Sequence, residues 1–213
     1  LAFETCPKSY VFTGKKSIDP KHLPKMLGMA AQPTPQYQPH TETHHQQYRS
    51  PAHRFCLPLN ECQFTLENII ENLTSDSRPR KPNTRPLRAT GAALALAVSV
   101  AEVLRPQCAT RIMCFLGGPC THGPGQGGGV MLKEAMRVHF DLEKENAPYV
   151  KDAYNFYSEL GVRACQNGHV VDLFAGSLDQ VGMMEMRDVL QMTGGFFVNA
   201  ESFEHVMFKD TLK

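Results

Sequence analysis

The sequence carries no excess charge of one sign and no apolar run long enough to span a membrane. It has 22 basic and 21 acidic side chains, so no overall field attracts nucleic acid. Its longest apolar stretch, residues 89–101, is shorter than the about 20 residues of a membrane helix. No basic segment followed by an apolar core opens the sequence, so we expect no signal peptide. A composition that is 42% hydrophobic and 20% charged is typical of a soluble globular protein with one sizeable core.

The cysteines also lack a recognisable pattern. Seven are present, an odd number without the spacing of a disulfide framework, which favours reduced thiols in a cytosolic compartment. Cys114, Cys120 and His122 lie close together in sequence, but a zinc site needs a second pair of ligands. A Cys120–His122 nucleophile pair would need a third group to orient it. Buried or loop thiols therefore account for these residues better than a metal or catalytic site does.

One stretch, residues 111–129, organises the rest of the chain. Residues 111–116 (RIMCFL) are an apolar run bounded by turn residues, which predicts a strand buried on both faces in the middle of a parallel sheet. Residues 117–129 contain seven glycines and two prolines, which predicts a long ordered loop. Ligands and partners meet an open α/β sheet at the carboxyl ends of its strands. The loop is therefore the first candidate for a functional site.

Periodicity and turn residues predict further elements along the chain. Strands are expected at residues 8–12, 54–59, 169–175 and 196–199, and helices at residues 17–27, 61–73, 87–104, 146–166, 179–192 and from 202 onward. From residue 87 helices alternate with strands, which predicts an α/β domain with a mostly parallel sheet and helices on both faces. Residues 30–52 are rich in Pro, Gln and His and predict a mobile loop. Metal binding by His40, His44 and His45 in that tract is not favoured, because the tract lacks preorganisation.

Two further features leave alternatives open. Residues 123–128 match the G-x-G-x-x-G pattern of dinucleotide sites, but Gly123 lies seven residues beyond Leu116 and a proline follows it. No Gly-Lys-Ser/Thr follows, so the Walker pattern is absent. A nucleotide-binding α/β enzyme that uses residues 117–129 is therefore the alternative function.

Asp172, in a predicted buried strand, is either a cap for a neighbouring loop, which we favour, or a catalytic acid.

Basic residues cluster in a predicted loop beside a single acidic residue, Asp76. They are Arg78, Arg80, Lys81, Arg85 and Arg88. Such clusters are usually solvated loops. The functional interpretation is contact with an anionic lipid surface, which contributes about 1 kcal/mol for each basic side chain. That contribution is marginal alone, but it orients a protein that is already held at a membrane.

Four segments resemble the trunk domain of one COPII inner-coat subunit, the GTPase-activating protein for a Sar-type GTPase. They are residues 85–98 (RPLRATGAALALAV), 111–125 (RIMCFLGGPCTHGPG), 168–186 (GHVVDLFAGSLDQVGMMEM) and 193–213 (TGGFFVNAESFEHVMFKDTLK). Residues 8–14 and 56–73 resemble it in the same order, so the resemblance covers most of the chain. It implies that residues 1–213 are a von Willebrand A-like trunk segment without the domain's first strands. A von Willebrand A adhesion module, a third hypothesis, would need a D-x-S-x-S metal motif at such a first strand.

The resemblance also implies which activities this segment lacks. In the family, a zinc-finger module precedes the trunk, and a later helical domain carries an arginine finger, the group that stabilises charge on a transferring phosphoryl. We therefore expect no cofactor, no metal and no catalytic residue in the segment, with GTPase activation only in the full-length protein. We expect a cytoplasmic location, peripheral on endoplasmic reticulum exit sites and COPII vesicle membranes.

The partners that the resemblance implies are four. They are the cargo-selecting COPII subunit in a heterodimer, the Sar-type GTPase, the outer-coat subunit and the anionic membrane of the endoplasmic reticulum, with no nucleic acid. Partner contacts are expected from Gly117, Gly118, Thr121, Ser202, Phe203 and Phe208. The membrane-facing charge is expected on Arg78, Arg80, Lys81, Arg85 and Arg88. For Phe203 and Phe208, core packing of the last helix stays open as the alternative.

Overall fold

The computed structural model describes residues 10–12, 19, 21–29, 55–74, 82–106, 108–125, 137–147 and 149–211. The loop predicted at residues 30–52 lies outside these ranges, as do Arg78, Arg80 and Lys81. The chain divides into two compact units, one formed by Leu1–Phe12 with Lys21–Arg78 and the other by Thr13–Pro20 with Pro79–Lys213.

The first unit contains two helices, α1 (Leu23–Met26) and α2 (Leu59–Glu71). The helix predicted at residues 17–27 is shorter than expected where the structure describes it. Pro24 stands in the first turn of α1, because a proline has no N–H for the bond to the preceding turn and fixes φ at a helical value. Leu23 is fully buried.

The two strands predicted in this unit are wrong over their described residues. Residues 10–12 form no strand, and neither do residues 55–58. Tyr10 instead donates its hydroxyl hydrogen to the carbonyl of Leu27 at 3.3 Å, and its ring lies 5.8 Å from that of Phe55. Pro58 is the N-cap of α2, with φ −56° and ψ 141°, so the chain turns directly into the helix.

The prediction of α2 is confirmed, but its apolar stripe is not buried. Cys62 is its one buried residue. Leu66 is 38% exposed, Ile70 58% and Leu73 73%. Within the described part of the first unit no element covers this face.

The second unit contains a three-stranded sheet with helices packed against it. Its strands are β1 (Thr110–Leu116), β2 (His169–Gly176) and β3 (Phe197–Ala200), and its helices are α3 (Thr90–Leu104), α4 (His139–Glu143), α5 (Val150–Gln166), α6 (Met183–Thr193) and α7 (Val206–Thr211). Both strand pairs are parallel, and the order is β1-β2-β3. Ile112 pairs with Val171, and Leu173 pairs with Phe197. The predicted α/β fold with a parallel sheet is confirmed.

The position of β1 corrects the sequence-based expectation. Among the described residues β1 is an edge strand and β2 is the central one. Its side chains alternate between half-buried and exposed, so that Met113 is 56% exposed and Phe115 53%. An apolar run on both faces predicted double burial, but one face of β1 is exposed and the other is half-buried apart from Leu116. The more deeply buried strand is β2, in which residues 171–175 are all buried.

One face of the sheet, here called the helical face, packs against α3, α5 and α6. Leu116, Val171 and Leu173 contribute from the strands. The helices contribute Val98, Tyr157, Leu160, Ala164, Met186 and Val189. Each is at least nine-tenths buried, and burial of one large aliphatic side chain stabilises by about 1.5–3 kcal/mol. This cluster is the core of the unit.

The opposite face, here called the aromatic face, is covered by α7. Phe174 of β2 stacks on Phe115 with ring centroids 5.1 Å apart, and Phe208 of α7 meets Phe174 edge-on at 5.6 Å. Phe203 lies edge-on to Phe208 at 5.0 Å. Such edge and offset arrangements suit the ring quadrupole. The aromatic face therefore holds α7 through ring contacts.

Asp172 in the middle of β2 caps the segment that leads into β3. It is fully buried and accepts hydrogen bonds from the Arg111 guanidinium and, at 3.1 Å, from the main-chain N–H of Phe196. The guanidinium of Arg111 also lies over the Phe196 ring at 5.3 Å. The hydrogen bond and charge of Asp172 raise the pKa of Arg111. This agrees with the favoured interpretation of Asp172 as a loop cap, because both partners are structural.

Helix starts differ from the predicted ones where local hydrogen bonds hold a turn. The helix predicted from residue 179 begins at Met183, after Gly182 in the left-handed conformation (φ +83°). Ser177 and Asp179 accept hydrogen bonds from nearby main-chain N–H groups, an alternative to helix that such side chains favour. The end of α5 is confirmed, with Gly168 at φ +72°, whereas α4 was not predicted.

We predict that the isolated chain of 213 residues self-associates through the outer edge of β1. In the described part of the second unit no strand lies along that edge, and Met113 beside it is exposed. An unpaired edge with apolar side chains promotes pairing between molecules. Light scattering should therefore show oligomers that Met113→Glu reduces.

The matched control is Met207→Glu on α7, at a site that is 63% exposed and lies outside the sheet. It should leave the self-association unchanged. A monomeric chain that unfolds in one cooperative thermal transition would contradict the prediction.

Candidate partner-docking surface

The glycine-rich loop beyond β1 is fastened to the segment that precedes α3. We call residues 117–125 the docking loop. The Thr121 hydroxyl donates to the carbonyl of Pro86 at 2.7 Å and accepts from the main-chain N–H of Arg88 at 2.8 Å. The Arg88 carbonyl in turn accepts from the N–H groups of Thr121 and His122, at 3.0 and 3.1 Å. Four residues thus form a short set of bonds that fixes the loop without regular secondary structure.

The side chain of Arg88 fastens the same loop a second time. Its Nη2 donates to the carbonyl of Gly117 at 3.0 Å. Its guanidinium lies against Gly118, where an added Cβ would be 2.9 Å from Cζ. Gly118 has φ +151°, a conformation that other residues rarely adopt. A glycine is therefore favoured at this position by its conformation, and an added Cβ would also displace the Arg88 guanidinium.

The far end of the docking loop packs equally closely. A Cβ at Gly91 in α3 would lie 2.0 Å from the Pro124 carbonyl oxygen. The Tyr157 hydroxyl donates to the Gly125 carbonyl at 3.1 Å. Burial raises the pKa of Tyr157 well above its usual value, so the hydroxyl keeps its hydrogen and its role as donor. Two glycines of the G-x-G-x-x-G match thus lie in a loop that is packed against α3 and α5.

The predicted contact residues of the docking loop differ in exposure to solvent. Gly117 is exposed, and nothing lies within 4 Å of a Cβ added there. Gly118 and Thr121 are buried. His122 and Pro124 are half-buried. Gly117, His122 and Pro124 therefore present the accessible part of the loop, while Gly118 and Thr121 hold it in place.

The second predicted contact stretch also has buried and exposed members. Ser202 is exposed, Phe203 is 39% exposed and Phe208 is 3% exposed. Phe208 thus belongs to the core between α7 and the aromatic face, the alternative that the sequence left open. Phe203 packs on Gly176, where an added Cβ would lie 2.9 Å from its ring. Leu178, 86% exposed, adds apolar surface to the same end of the sheet.

Of the basic cluster, Arg85 and Arg88 lie within the described residues. The Arg85 Nε donates to Asp179 Oδ2 at 2.7 Å, which joins the segment before α3 to the loop after β2. Both arginines therefore make bonds within the protein at the carboxyl end of the sheet. No helix in the described residues combines the length and the apolarity of a membrane span.

The thiols in and beside the docking loop contact main-chain carbonyls and the core of the unit. Cys120 is buried, and its Sγ donates weakly to the carbonyls of Arg88 and His122, at 3.4 and 3.6 Å. Within the described ranges no group of three or more His, Cys, Asp or Glu residues could hold a metal ion. Burial raises the pKa of Cys114 to about 11, which keeps its thiol protonated. This environment is that of structural cysteines.

A cleft of about 430 Å³ lies between α4, the start of α6 and β3, and no residue of the docking loop lines it. Arg137 on its wall donates to Gln180 at 2.8 Å and to the fully buried Glu185 at 2.6 Å. Glu185 stands in the first turn of α6, where its negative charge complements the helix dipole. The ion pair is incomplete, because Arg137 Nε and Glu185 Oε1 are buried without a hydrogen-bond partner among the described residues.

Sequence reasoning identified the docking loop but missed the residues that shape it. Pro86 and Tyr157 carried no signal of a site, because their roles depend on contacts with residues more than 30 positions away. Gly91 alone offered a clue. A glycine inside an apolar helix costs about 1 kcal/mol relative to alanine, so it usually has a packing reason.

One family model matches this chain, that of the Sec23/Sec24 trunk domain, over residues 24–213. The match leaves out only the first 23 residues, and it covers the whole parallel sheet and the docking loop. The chain belongs to the Sec23/Sec24 trunk family. It is therefore related to the subunits of the COPII vesicle coat, which confirms the family that the sequence segments resemble.

We predict that Gly91→Ala destabilises the protein, although alanine is the better helix former. Its Cβ would lie 2.0 Å from a main-chain oxygen that the docking loop holds in place. Accommodation of such a clash costs about 1–3 kcal/mol, more than the helix propensity contributes. Chemical denaturation of the complete protein measures the change in unfolding free energy.

Gly117→Ala is the control for this change, because the added methyl group meets open space. It should alter the unfolding free energy by less than about 0.5 kcal/mol. A Gly91→Ala protein as stable as the parent would contradict the packing of the docking loop on α3.

We predict that Cys114 resists alkylation at about pH 8, because a thiol with a pKa near 11 is then thiolate in only about one molecule in a thousand. Its labelling should increase as the pH rises toward 11. Cys165 is exposed and serves as the internal comparison, labelled first. Mass spectrometry after a timed iodoacetamide pulse measures both rates. Equal labelling of Cys114 and Cys165 at about pH 8 would refute the burial of this thiol.

Proposed function

We propose that this chain is the trunk segment of the COPII inner-coat subunit that activates the Sar-type GTPase, and that its docking loop binds coat partners. The Sec23/Sec24 trunk match supports the coat family. The GGPCTHGPG and SLDQVG segments favour the GTPase-activating subunit over its cargo-selecting relative. The proposed partners are the cargo-selecting subunit, the GTPase and the outer-coat subunit.

The observation that carries this proposal is a loop that hydrogen bonds hold in place while its Gly117 stays exposed. Thr121, Arg88 and Tyr157 hold the docking loop through hydrogen bonds of 2.8–3.1 Å. A loop that is already ordered loses little entropy when a partner binds. Its accessible residues offer main-chain polar groups and small apolar surfaces, which suit the binding of a protein partner better than they suit catalysis.

We propose the membrane role for the basic cluster without Arg88, which bonds to the docking loop, and we propose a cytoplasmic location. A protein of a vesicle coat works next to anionic lipid, and basic side chains there contribute about 1 kcal/mol each. The segment should not accelerate GTP hydrolysis alone, because the arginine finger expected for the family stabilises the transition state from another domain. The nucleotide-binding alternative receives no support from Gly125, which is buried under Tyr157.

We predict that Gly117→Trp weakens binding of the complete protein to the cargo-selecting COPII subunit by about tenfold or more, the effect of a blocked central contact. Gly117 has open space around its Cα, so the fold should tolerate the indole. Surface plasmon resonance measures the affinity, with a Sar-type GTPase bound to a non-hydrolysable GTP analogue as a second analyte.

The control is Asn155→Trp, which places the same side chain on the exposed side of α5 and should change neither affinity. If the complete parent protein binds neither the coat subunit nor the GTPase, the proposed function is wrong. If it binds NAD or ATP in a saturable manner instead, the alternative function takes its place.

A further inference from the structure

We infer that Arg88 positions the docking loop for the coat partner and does not contact the membrane. This inference rests on the proposed function, because it concerns the same loop. It changes the role expected from sequence, in which Arg88 is one of five membrane-facing charges. The structure brings Arg88 together with Gly117, Gly118 and Thr121, which the sequence assigned to a separate partner surface.

The side chain of Arg88 controls the part of the docking loop that a partner can reach. Its Nη2 donates to the Gly117 carbonyl at 3.0 Å, so it orients the peptide that follows the exposed Gly117. The guanidinium plane rests on Gly118, within 2.9–3.2 Å of the position that a Cβ would take. The absence of a side chain on Gly118 is what admits the guanidinium. The contact thus depends on both residues, on the guanidinium of Arg88 and on the missing side chain of Gly118.

The main-chain hydrogen bonds of Arg88 explain why its side chain lies against the docking loop. Its N–H donates to Thr121, and its carbonyl accepts from Thr121 and His122. These main-chain hydrogen bonds therefore hold the backbone of Arg88 next to the docking loop, whatever its side chain does. A side chain with both ends anchored to one loop loses little further entropy when it makes these bonds.

Arg85 provides the contrast within the same basic segment. Its Nε bonds to Asp179, and its side chain is 20% exposed. It neither touches Gly117 nor packs on Gly118 in the contacts described. Two arginines three residues apart thus have different roles. Arg85 joins the segment before α3 to the loop after β2, whereas Arg88 shapes the docking loop.

Lysine at residue 88 separates the two possible roles. It keeps the positive charge that a membrane contact needs. It lacks the planar fork that donates to Gly117 and lies flat on Gly118, because an ammonium is a point charge on a flexible stem. A membrane role for Arg88 therefore predicts rescue by Arg88→Lys, and a positioning role predicts loss.

The experiment uses the complete protein carrying Arg88→Lys, Arg88→Gln, Arg85→Gln or Arg163→Gln. Affinity for the recombinant cargo-selecting COPII subunit is measured beside flotation with phosphatidylserine vesicles. We expect both residue-88 variants to lose about tenfold in partner affinity, the effect of one lost charged hydrogen bond, with unchanged flotation. Arg85→Gln should keep the partner affinity.

Arg163→Gln controls for stability alone. Arg163 joins Glu102 at 2.7 Å and Ser99 at 3.0 Å, away from the docking loop. Its substitution should lower the melting temperature and leave the partner affinity unchanged. If Arg88→Lys binds the partner as the parent does, or if Arg88→Gln reduces flotation, the inference is wrong.

Hydrogen exchange across residues 117–122 separates this inference from the proposed function. We expect faster exchange there in both residue-88 variants, whether or not the parent binds the coat subunit. A parent that binds no partner would overturn the proposed function, while the exchange rates still test the positioning. Unchanged exchange in both variants would overturn the role of Arg88.

Discussion

The hydrogen bonds between Arg88 and Thr121 are the constraint on which the rest of this structure depends. A glycine-rich loop has many accessible conformations, and ordering each residue costs about 1–2 kcal/mol. Here the Thr121 hydroxyl and two main-chain groups of Arg88 close the loop onto the start of α3. Because that loop leaves the end of β1, the same bonds also fix where α3 begins and how it meets the sheet.

The sheet shows why such a fastening matters in this chain. Its helical face is closed by three helices, with Val98, Val171 and Val189 fully buried. Its aromatic face has α7 and exposed portions of Met113 and Phe115 among the described residues. The docking loop lies at the carboxyl end of the sheet, between the well-packed helical face and the less covered aromatic face. A fold with one well-packed face can present a fixed loop even where its other face is less covered.

The sequence supports the class of fold, because alternating helix and strand signals arise from local patterns. The 3.6-residue periodicity of α5 and the apolar run of β2 both correspond to elements of the structure. The edge position of β1 could not be predicted in this way. Its apolar residues on both faces resemble those of β2, and the difference lies in what packs against them. Pro24 and Pro58 also show that a local pattern does not define a position in the structure. Pro24 lies in the first turn of α1, whereas Pro58 precedes α2 as its N-cap.

The candidate site was predicted in position but not in construction. Glycines mark a loop by their number, whereas the burial of Gly118 and Thr121 follows from bonds to Arg88, some 30 residues earlier. Likewise, Phe208 looks like Phe203 in sequence, and only the packing of α7 on Phe174 buries the first of them. Long-range contacts decide which residues of a loop hold it and which residues a partner can touch.

The most direct test of this account is an electron cryo-microscopy structure of the complete protein bound to the cargo-selecting COPII subunit. The account predicts that Gly117 lies in the interface and that the Arg88–Thr121 hydrogen bonds persist from the free to the bound state. A docking loop that faces away from every coat partner, or a nucleotide or catalytic ion seated beneath it, would contradict the account.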